Sequence, residues 1–435
     1  MNFDDLSKFY AELDKKYNVT NNELNNATYT NVDSNFVYSA RFARHRWFNY
    51  KEGFSPILVE KIFDEYELNA QSVICDPFCG AGTTLVVAKE KGMNSFGFEV
   101  NPFAAFITKI KTTYYTQSDI VELERLLDEL HSVNSCDDRN PPDNEYLQRI
   151  FDQEMLLTQL NIREYITTLS WSNAKDLLRF AWLSTLEMCS LYRKAGNGLK
   201  IKRKPPEYKK GESFVFAYTC IKGKVKSMIE DYSQDDTGPT PVVFEESVTN
   251  INERIKNGSL DMVLFSPPYA NCFDYTKIYY LELWFGEFVN SAAEQKTIRM
   301  KSLRSHCHAT WPERYTQFSL PELNDEILPL LRLQKLWTNR IPDMLNGYFA
   351  DMEESLKQIY SALKFGGHCA IVVSNSAYAG IIIPTDVFLA MTAQRIGFKV
   401  TEIAVKRLII TSSQQYRKTE HVRKYLRESI VKLEK

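Results

Sequence analysis

Two short stretches carry the residue types that can do chemistry. The first is "SPPY", Ser266, Pro267, Pro268 and Tyr269, which ends the apolar run "MVLF". Proline has a fixed φ and no N–H, and Pro268 biases Pro267 toward an extended shape. The carbonyls along this step are therefore aimed acceptors with no local donor competing for them. Ser266 adds a hydroxyl that accepts or donates, and Tyr269 adds a flat ring for stacking. Such a set can grip a planar group bearing an –NH2: two acceptors orient the amine while the ring holds the plane. A strand-ending turn that merely contains a tyrosine is the plain alternative.

The second stretch is "DPFCGAGTT", residues 76–84. Gly80 and Gly82 allow a tight turn and a close approach of ligand to backbone, ahead of a helix N-terminus. The stretch lacks the Lys-Ser/Thr of a phosphate-binding loop. Leu85 stands where a GxGxxG would have its third glycine, so a dinucleotide is not expected. Glu99 closes the next apolar run, and an acid there accepts hydrogen bonds from both hydroxyls of a ribose. A glycine turn and a ribose acid without a pyrophosphate cradle suit a nucleoside-type cofactor.

These residues need a scaffold, and the flanking patterns supply one. "QSVICD" reads as a buried strand, "TLVVAKEKG" as a helix closed by Gly92, and "NSFGFEVNP" as a second strand ending in an acid. That is a βαβ unit, which implies parallel strands and a right-handed crossover. A second α/β zone runs from "PVVFEES" to the "DMVLFSPPY" strand. A third follows, with the helical "YFADMEESLKQIYSALKFGG", the strand "HCAIVVSNS", the helix around "DVFLAMTAQRIGF" and the strand-like "KVTEIAVKRLI". A last apolar stretch, "ESIVKLEK", ends the chain. Strands alternating with helices predict an α/β fold with one doubly wound, mostly parallel sheet.

The span between the first two zones differs. Residues 118–195 are helical by pattern and lead into "YRKAGNGLKIKRKPPEYKKG", where Arg193, Lys194, Lys200, Lys202, Arg203, Lys204, Lys209 and Lys210 crowd together. A second interruption near 291–342 holds Arg299, Lys301, Arg304, His306 and His308. Interruptions this long inside a compact sheet are functional or form subdomains of their own.

Composition narrows the class without choosing a partner. The chain has 435 residues, with 53 Lys and Arg against 55 Asp and Glu. A net charge of -2 means that any basic surface must be local. No run approaches the ~18–20 apolar residues of a membrane span. The start, "MNFDDLSKFY", has early acids and no apolar core of a signal peptide. Eight cysteines without CxxC pairs fit reduced thiols, so a cytoplasmic location is expected. "SHCHATW" has no second ligand pair nearby, and no metal is expected.

Taken together, "DPFCGAGTT" and "SPPY" resemble the cofactor loop and the catalytic loop of the amino-group-specific DNA methyltransferases, which use S-adenosylmethionine. "RWFNYKEGFSPILVEKIF" (46–63) is similar to that family's cofactor-flanking motif. "LKFGGHCAIVV" resembles its "LKPGG" turn and strand, with Phe365 where proline is common. The resemblance covers residues 35–115 and 241–435. It implies a Rossmann-like methyltransferase fold with an inserted, mainly helical subdomain.

The resemblance also implies roles. Phe54, Asp76, Phe78, Gly80, Gly82, Glu99 and Glu246 would bind S-adenosylmethionine. Ser266 and the Pro267 carbonyl would hold an exocyclic amine, with Pro268 stiffening the step and Tyr269 stacking on a base flipped out of double-stranded DNA. Cys79 and Cys272 are expected to pack rather than attack, since no covalent intermediate is needed. Arg193, Lys194, Lys200, Lys202, Arg203, Lys204, Arg299, Lys301 and Arg304 would contact DNA. Serine ahead of Pro-Pro-Tyr leans toward cytosine N4, with adenine N6 as the alternative. Guanine-N2 methylation of RNA is a second alternative, although 34 residues ahead of the flanking motif are too few for an RNA-binding domain. A DNA-binding subunit with a relic fold is the non-enzymatic one. Here the cofactor loop precedes the catalytic loop, the reverse of many "SPPY" enzymes, which reads as a permutation of one sheet.

The expected organisation is an N-terminal extension (1–34), a cofactor-binding half (35–115), a helical and basic insert for target recognition (116–240), a catalytic half (241–290), a second insert contacting DNA (291–342) and the remainder of the sheet (343–435). A cognate restriction endonuclease or phage-defence system is the expected companion, and no membrane partner is.

Overall fold

The computed structural model describes residues 3–21, 36–51, 53–133, 144–195, 198–233, 236, 238–307, 318–409 and 413–435. Its centre is a mixed sheet of eight strands: β1 (Val19–Asn21), β2 (Val73–Asp76), β3 (Asn94–Phe98), β6 (Val242–Phe244), β7 (Leu260–Phe265), β8 (Leu363–Ser374), β11 (Lys399–Leu408) and β12 (Arg427–Glu434). Two hairpins lie outside it, β4 (Tyr192–Ala195) with β5 (Gly198–Ile201), and β9 (Ser376–Tyr378) with β10 (Ile381–Ile383). The sheet order is β1-β11-β12-β8-β7-β2-β3-β6. All neighbours are parallel except β12, which runs against both β11 and β8. That strand takes in all of the closing stretch "ESIVKLEK" but its last lysine, and begins one residue earlier at Arg427.

Strand periodicity explains why the sheet is covered on both faces. Ile74, Met262 and Leu264 point to one face, where helix α2 (Pro56–Glu65) lays Leu58, Val59 and Ile62 on them. Cys75, Val263 and Phe265 point to the other, under the long apolar helix Ile341–Ala362. Burial on both faces is what makes "VICD" and "MVLF" continuous apolar runs rather than alternating ones. Residues 6–16 form helix α1, whose Leu6, Tyr10 and Leu13 join the second of these cores. With β1 against β11, residues 19–21 form an edge strand of the sheet.

From β2 the chain proceeds outward through β3 to β6, and from β7 it proceeds the other way to β8. The carboxyl ends of β2 and β7 meet at this reversal, with Cys75 opposite Val263. Ligands of open α/β sheets bind in the crevice at such a point. Helix α3 (Thr83–Glu90) follows β2, and helix α4 (Pro102–Thr112) follows β3, capped by Asn101, whose side chain accepts from the N–H groups of Phe103 and Ala104.

Helices at Gln117–His131, Gln153–Thr168, Asn173–Leu183 and Ser213–Glu230 make a separate apolar core around Trp182 and Phe180. The basic span begins as the β4–β5 hairpin. Arg193 pairs with Lys200 and Lys194 with Leu199, so alternate basic residues face opposite ways.

Candidate active site

The cofactor-type loop is a backbone construction held from below. Asp76 is buried at the end of β2. One carboxylate oxygen accepts from the Phe78 N–H at 3.1 Å and the other from the Thr84 hydroxyl at 2.7 Å. Burial pushes its pKa up to about 7, against the lowering effect of those two donors. Gly80 and Gly82 have φ of 50° and 77°, the left-handed region that favours glycine. The Thr108 hydroxyl on α4 donates to the Gly80 carbonyl at 2.8 Å and so braces the turn.

Glu99 ties the two halves of the βαβ unit together. It accepts from the Gly80 N–H at 2.9 Å and from the Asn101 N–H at 2.8 Å. Burial of the carboxyl pushes its pKa up to about 7, while these backbone donors hold it down. A carboxylate has about four lone-pair positions, so acceptor capacity remains for a ligand hydroxyl.

One cleft at the reversal point joins both motifs. Asp76, Phe78, Gly80, Glu99, Ser266 and Pro268 all line it. Phe54 and Glu246 line it as well, and Phe54 also packs on the face of the sheet under α2. The Glu246 carboxylate is shared with Arg254 and the Asn250 amide, and the Arg254 hydrogen bond holds its pKa below the usual carboxylate range. Gly82 and Pro267 shape the two loops, and Gly82 is the N-cap of α3.

Tyr269 is half-buried and anchored. Its hydroxyl donates to Glu428 on β12 at 3.1 Å, and that carboxylate receives the Arg407 guanidinium from β11 at 2.7 Å. The Ser266 hydroxyl lies 3.4 Å from the Tyr269 oxygen. The two cysteines are both buried but differ in setting, the hydrogen bond with Cys307 lowering the Cys272 thiol pKa. Cys79 is buried with its thiol pKa raised by burial, and Cys272 lies buried 3.6 Å from the Cys307 sulfur.

The basic candidates divide sharply. Arg193, Lys200, Arg203 and Lys204 are exposed, and Lys301 is exposed at the rim of the cleft. Lys194 is buried and paired with Glu282. Lys202 turns inward to the carbonyls of Glu187, Met188 and Ser190. Arg299 is bound to the buried Asp274 at 2.9 Å, and Arg304 to Asp351 at 2.8 Å. His306 lines the cleft; His308 lies outside the described residues.

Sequence reasoning passed over several lining residues. Tyr50 stacks on Tyr279 with ring centroids 4.8 Å apart and lies against Gly80. Asp274, eight residues past Ser266, receives the Thr276 hydroxyl and Arg299. His45 and Lys111 line the cleft too. Tyr50 and His45 fall in or beside the quoted "RWFNY", so their proximity to the flanking motif was the available signal. Lys111 gave none.

Comparison with known proteins bears on what this cleft does. A family described as DNA methylase matches residues 2–109. The Type II methyltransferase M.AvaI of Nostoc sp. is 29% identical over 418 residues, 89% of this chain and 85% of its own length. Distant members of the N4-cytosine/N6-adenine DNA methyltransferase family match this chain. M.BsoBI of Geobacillus stearothermophilus is 27% identical over 439 residues, 90% of this chain and 85% of its own. M.MvaI of Kocuria varians is 22% identical over 379 residues, 80% of each. Both are also Type II methyltransferases by name. The matches to M.AvaI and M.BsoBI run nearly the length of the chain, so they take in the inserts as well as the sheet.

Proposed function

We propose that the protein transfers a methyl group from S-adenosylmethionine to the exocyclic amine of a base flipped out of double-stranded DNA, with cytosine N4 as the target. The observation that carries this reading is the convergence of the Gly80–Glu99 turn and the Ser266–Pro268 step on one cleft. The relatives' character as Type II methyltransferases supports it.

The residues present fit the cofactor. A Cβ on Gly80 would sit 3.1 Å from the Tyr50 ring, so the turn offers bare backbone in a space already walled by an aromatic. Glu99 offers acceptors for ribose hydroxyls, and Phe78 and Phe54 offer apolar walls. When bound, S-adenosylmethionine supplies an electrophilic methyl group. The protein's own part is to hold the amine. Its lone pair is delocalised into the ring, and hydrogen bonds to Ser266 and the Pro267 carbonyl would keep it directed into the cleft. Catalysis then rests on positioning and electrostatics, with no covalent intermediate. Tyr269, held by Glu428 and Arg407, is the platform for the base.

In this reading the sheet is doubly wound and Rossmann-like, the helical insert recognises the target, and a cognate restriction endonuclease or defence system works alongside in the cytoplasm. Among the described residues no helix is long and apolar enough to cross a membrane. The test is methylation of a defined DNA pool with labelled S-adenosylmethionine, followed by nucleoside analysis. Label in N4-methylcytosine is the expected result. Label in N6-methyladenine would move the target to adenine, and label in RNA alone would overturn the DNA reading.

Exposed basic residues of the hairpin strand and its continuation, with Lys301 at the rim of the cleft, are the DNA-contact candidates that remain after burial is considered. Arg203→Ala with Lys204→Ala is expected to weaken DNA binding and to reduce the slope of log affinity against log salt by about 1–2. Lys202 is left in place because it caps the carbonyls of Glu187, Met188 and Ser190. An unchanged slope in a filter-binding titration would assign these two residues to a solvated surface only.

A further inference from the structure

One end of the cleft carries a buried cation without a counter-charge. Lys111 is 2% exposed, on the last turn of α4, and lines the cleft. Its ammonium donates to the His45 carbonyl at 3.4 Å, and among the described residues no carboxylate lies within ion-pair distance of it. The nearby acids are engaged elsewhere: Asp231 with Arg46 and the Trp47 indole, and Asp236 with Arg44 and Lys89. Burial, with repulsion from Lys224 as a smaller contribution, brings the Lys111 pKa down to about 7. Beside it the His45 ring is 4% exposed, and its Nε2 has no hydrogen-bond partner.

A buried cation left unpaired is costly, and so is a buried ring nitrogen left unbonded. Both costs fall at one place on the wall of a ligand cleft. The register of α4 says which part of a ligand would meet them. The helix starts at Asn101, whose N–H is bound to Glu99, and passes Thr108, which holds the Gly80 carbonyl. Lys111 follows three residues after Thr108 on the same helix face, about 4.5 Å further along the axis. The order along α4 is therefore ribose acid, glycine turn, cation.

We propose that Lys111 and His45 form an anion subsite that holds the carboxylate of the cofactor's amino-acid tail. The inference rests on the methyltransferase reading and adds to it the group that recognises the tail. In this arrangement the Lys111 ammonium and the His45 Nε2–H both donate to the carboxylate. Arg46 also lines the cleft, but its guanidinium is committed to Asp231.

The test compares two ligands by isothermal titration calorimetry, S-adenosylhomocysteine and 5′-methylthioadenosine, which shares the nucleoside but has no carboxylate. The wild type is expected to bind the first more tightly. Lys111→Met should lower affinity for S-adenosylhomocysteine by about 30-fold, the loss of one charge-assisted hydrogen bond, and leave methylthioadenosine within about twofold. Lys111→Arg should restore most of the loss. Retained methylthioadenosine binding shows that the variant's cleft is folded. Equal losses for both ligands, or no loss for S-adenosylhomocysteine, overturn the subsite. Failure of the wild type to bind either ligand overturns the methyltransferase reading itself, and the subsite with it.

Discussion

Tyr269→Ala is expected to lower methyl transfer by about 10³-fold while leaving S-adenosylhomocysteine affinity within about twofold. Stacking on an aromatic ring contributes about 1–3 kcal/mol per base, and a reactant misplaced by about an ångström loses roughly 10²-fold in rate. Both losses fall on the target base, because the cofactor end of the cleft is built from β2, β3 and α4. Single-turnover methylation with saturating cofactor reads the first quantity and calorimetry the second. Unchanged turnover would remove Tyr269 from the machinery. Tyr269→Phe separates the ring from its tether: it keeps the stacking surface and removes the hydroxyl that donates to Glu428. A smaller loss, of about tenfold, is expected there, since one hydrogen bond to a charged group is worth about 1.5–3 kcal/mol and only part of it bears on ring placement.

The second large effect is expected at the glycine turn. Gly82→Val should abolish measurable cofactor binding and lower stability by about 2–5 kcal/mol. Two costs add. A side chain at φ 77° costs about 1–2 kcal/mol, and overpacking a tight site costs about 1–3 kcal/mol. The overpacking is specific. A Cβ on Gly82 would lie 2.7 Å from the Thr108 Cγ2 and 2.8 Å from its Oγ1. Thr108 cannot move away without releasing the Gly80 carbonyl it holds. The loop therefore loses its brace as well as its shape. Urea unfolding gives the stability change. Thr108→Ala in the same chain should recover part of it, by relieving the contact but not the backbone strain. Wild-type affinity in Gly82→Val would show that the turn does not hold the cofactor.

Charge illustrates how far a sequence reading reaches. The crowd of basic residues at 193–204 is visible at once, but its members do not act alike. In a β-hairpin successive side chains face opposite ways, so Lys194 enters the helical core to meet Glu282 while Arg193 and Lys200 stay in water. Lys202 leaves the strand and caps three carbonyls. In the second insert, Arg299 and Arg304 each meet an acid buried by other elements. Removing either arginine would leave that acid without its partner, so loss of DNA binding in such variants would report folding before it reported contact.

The local motifs and their supports were determined by sequence alone, because each depends on a few neighbouring residues. Glycines at left-handed positions, an acid ending the next strand and a proline pair ending another are short-range features, and continuous apolar runs make the central strands legible. Tertiary structure alone decided what those motifs share. β2 and β7 are far apart in sequence, and only parallel pairing at the sheet's reversal brings Gly80 and Ser266 to one cleft. Antiparallel β12, between β8 and β11, puts Glu428 and Arg407 behind Tyr269. It is also packing, rather than pattern, that buries Lys111 beside His45. A lysine in a helix reads as solvated until the elements that cover it are known, and the free energy of a charge depends on that cover.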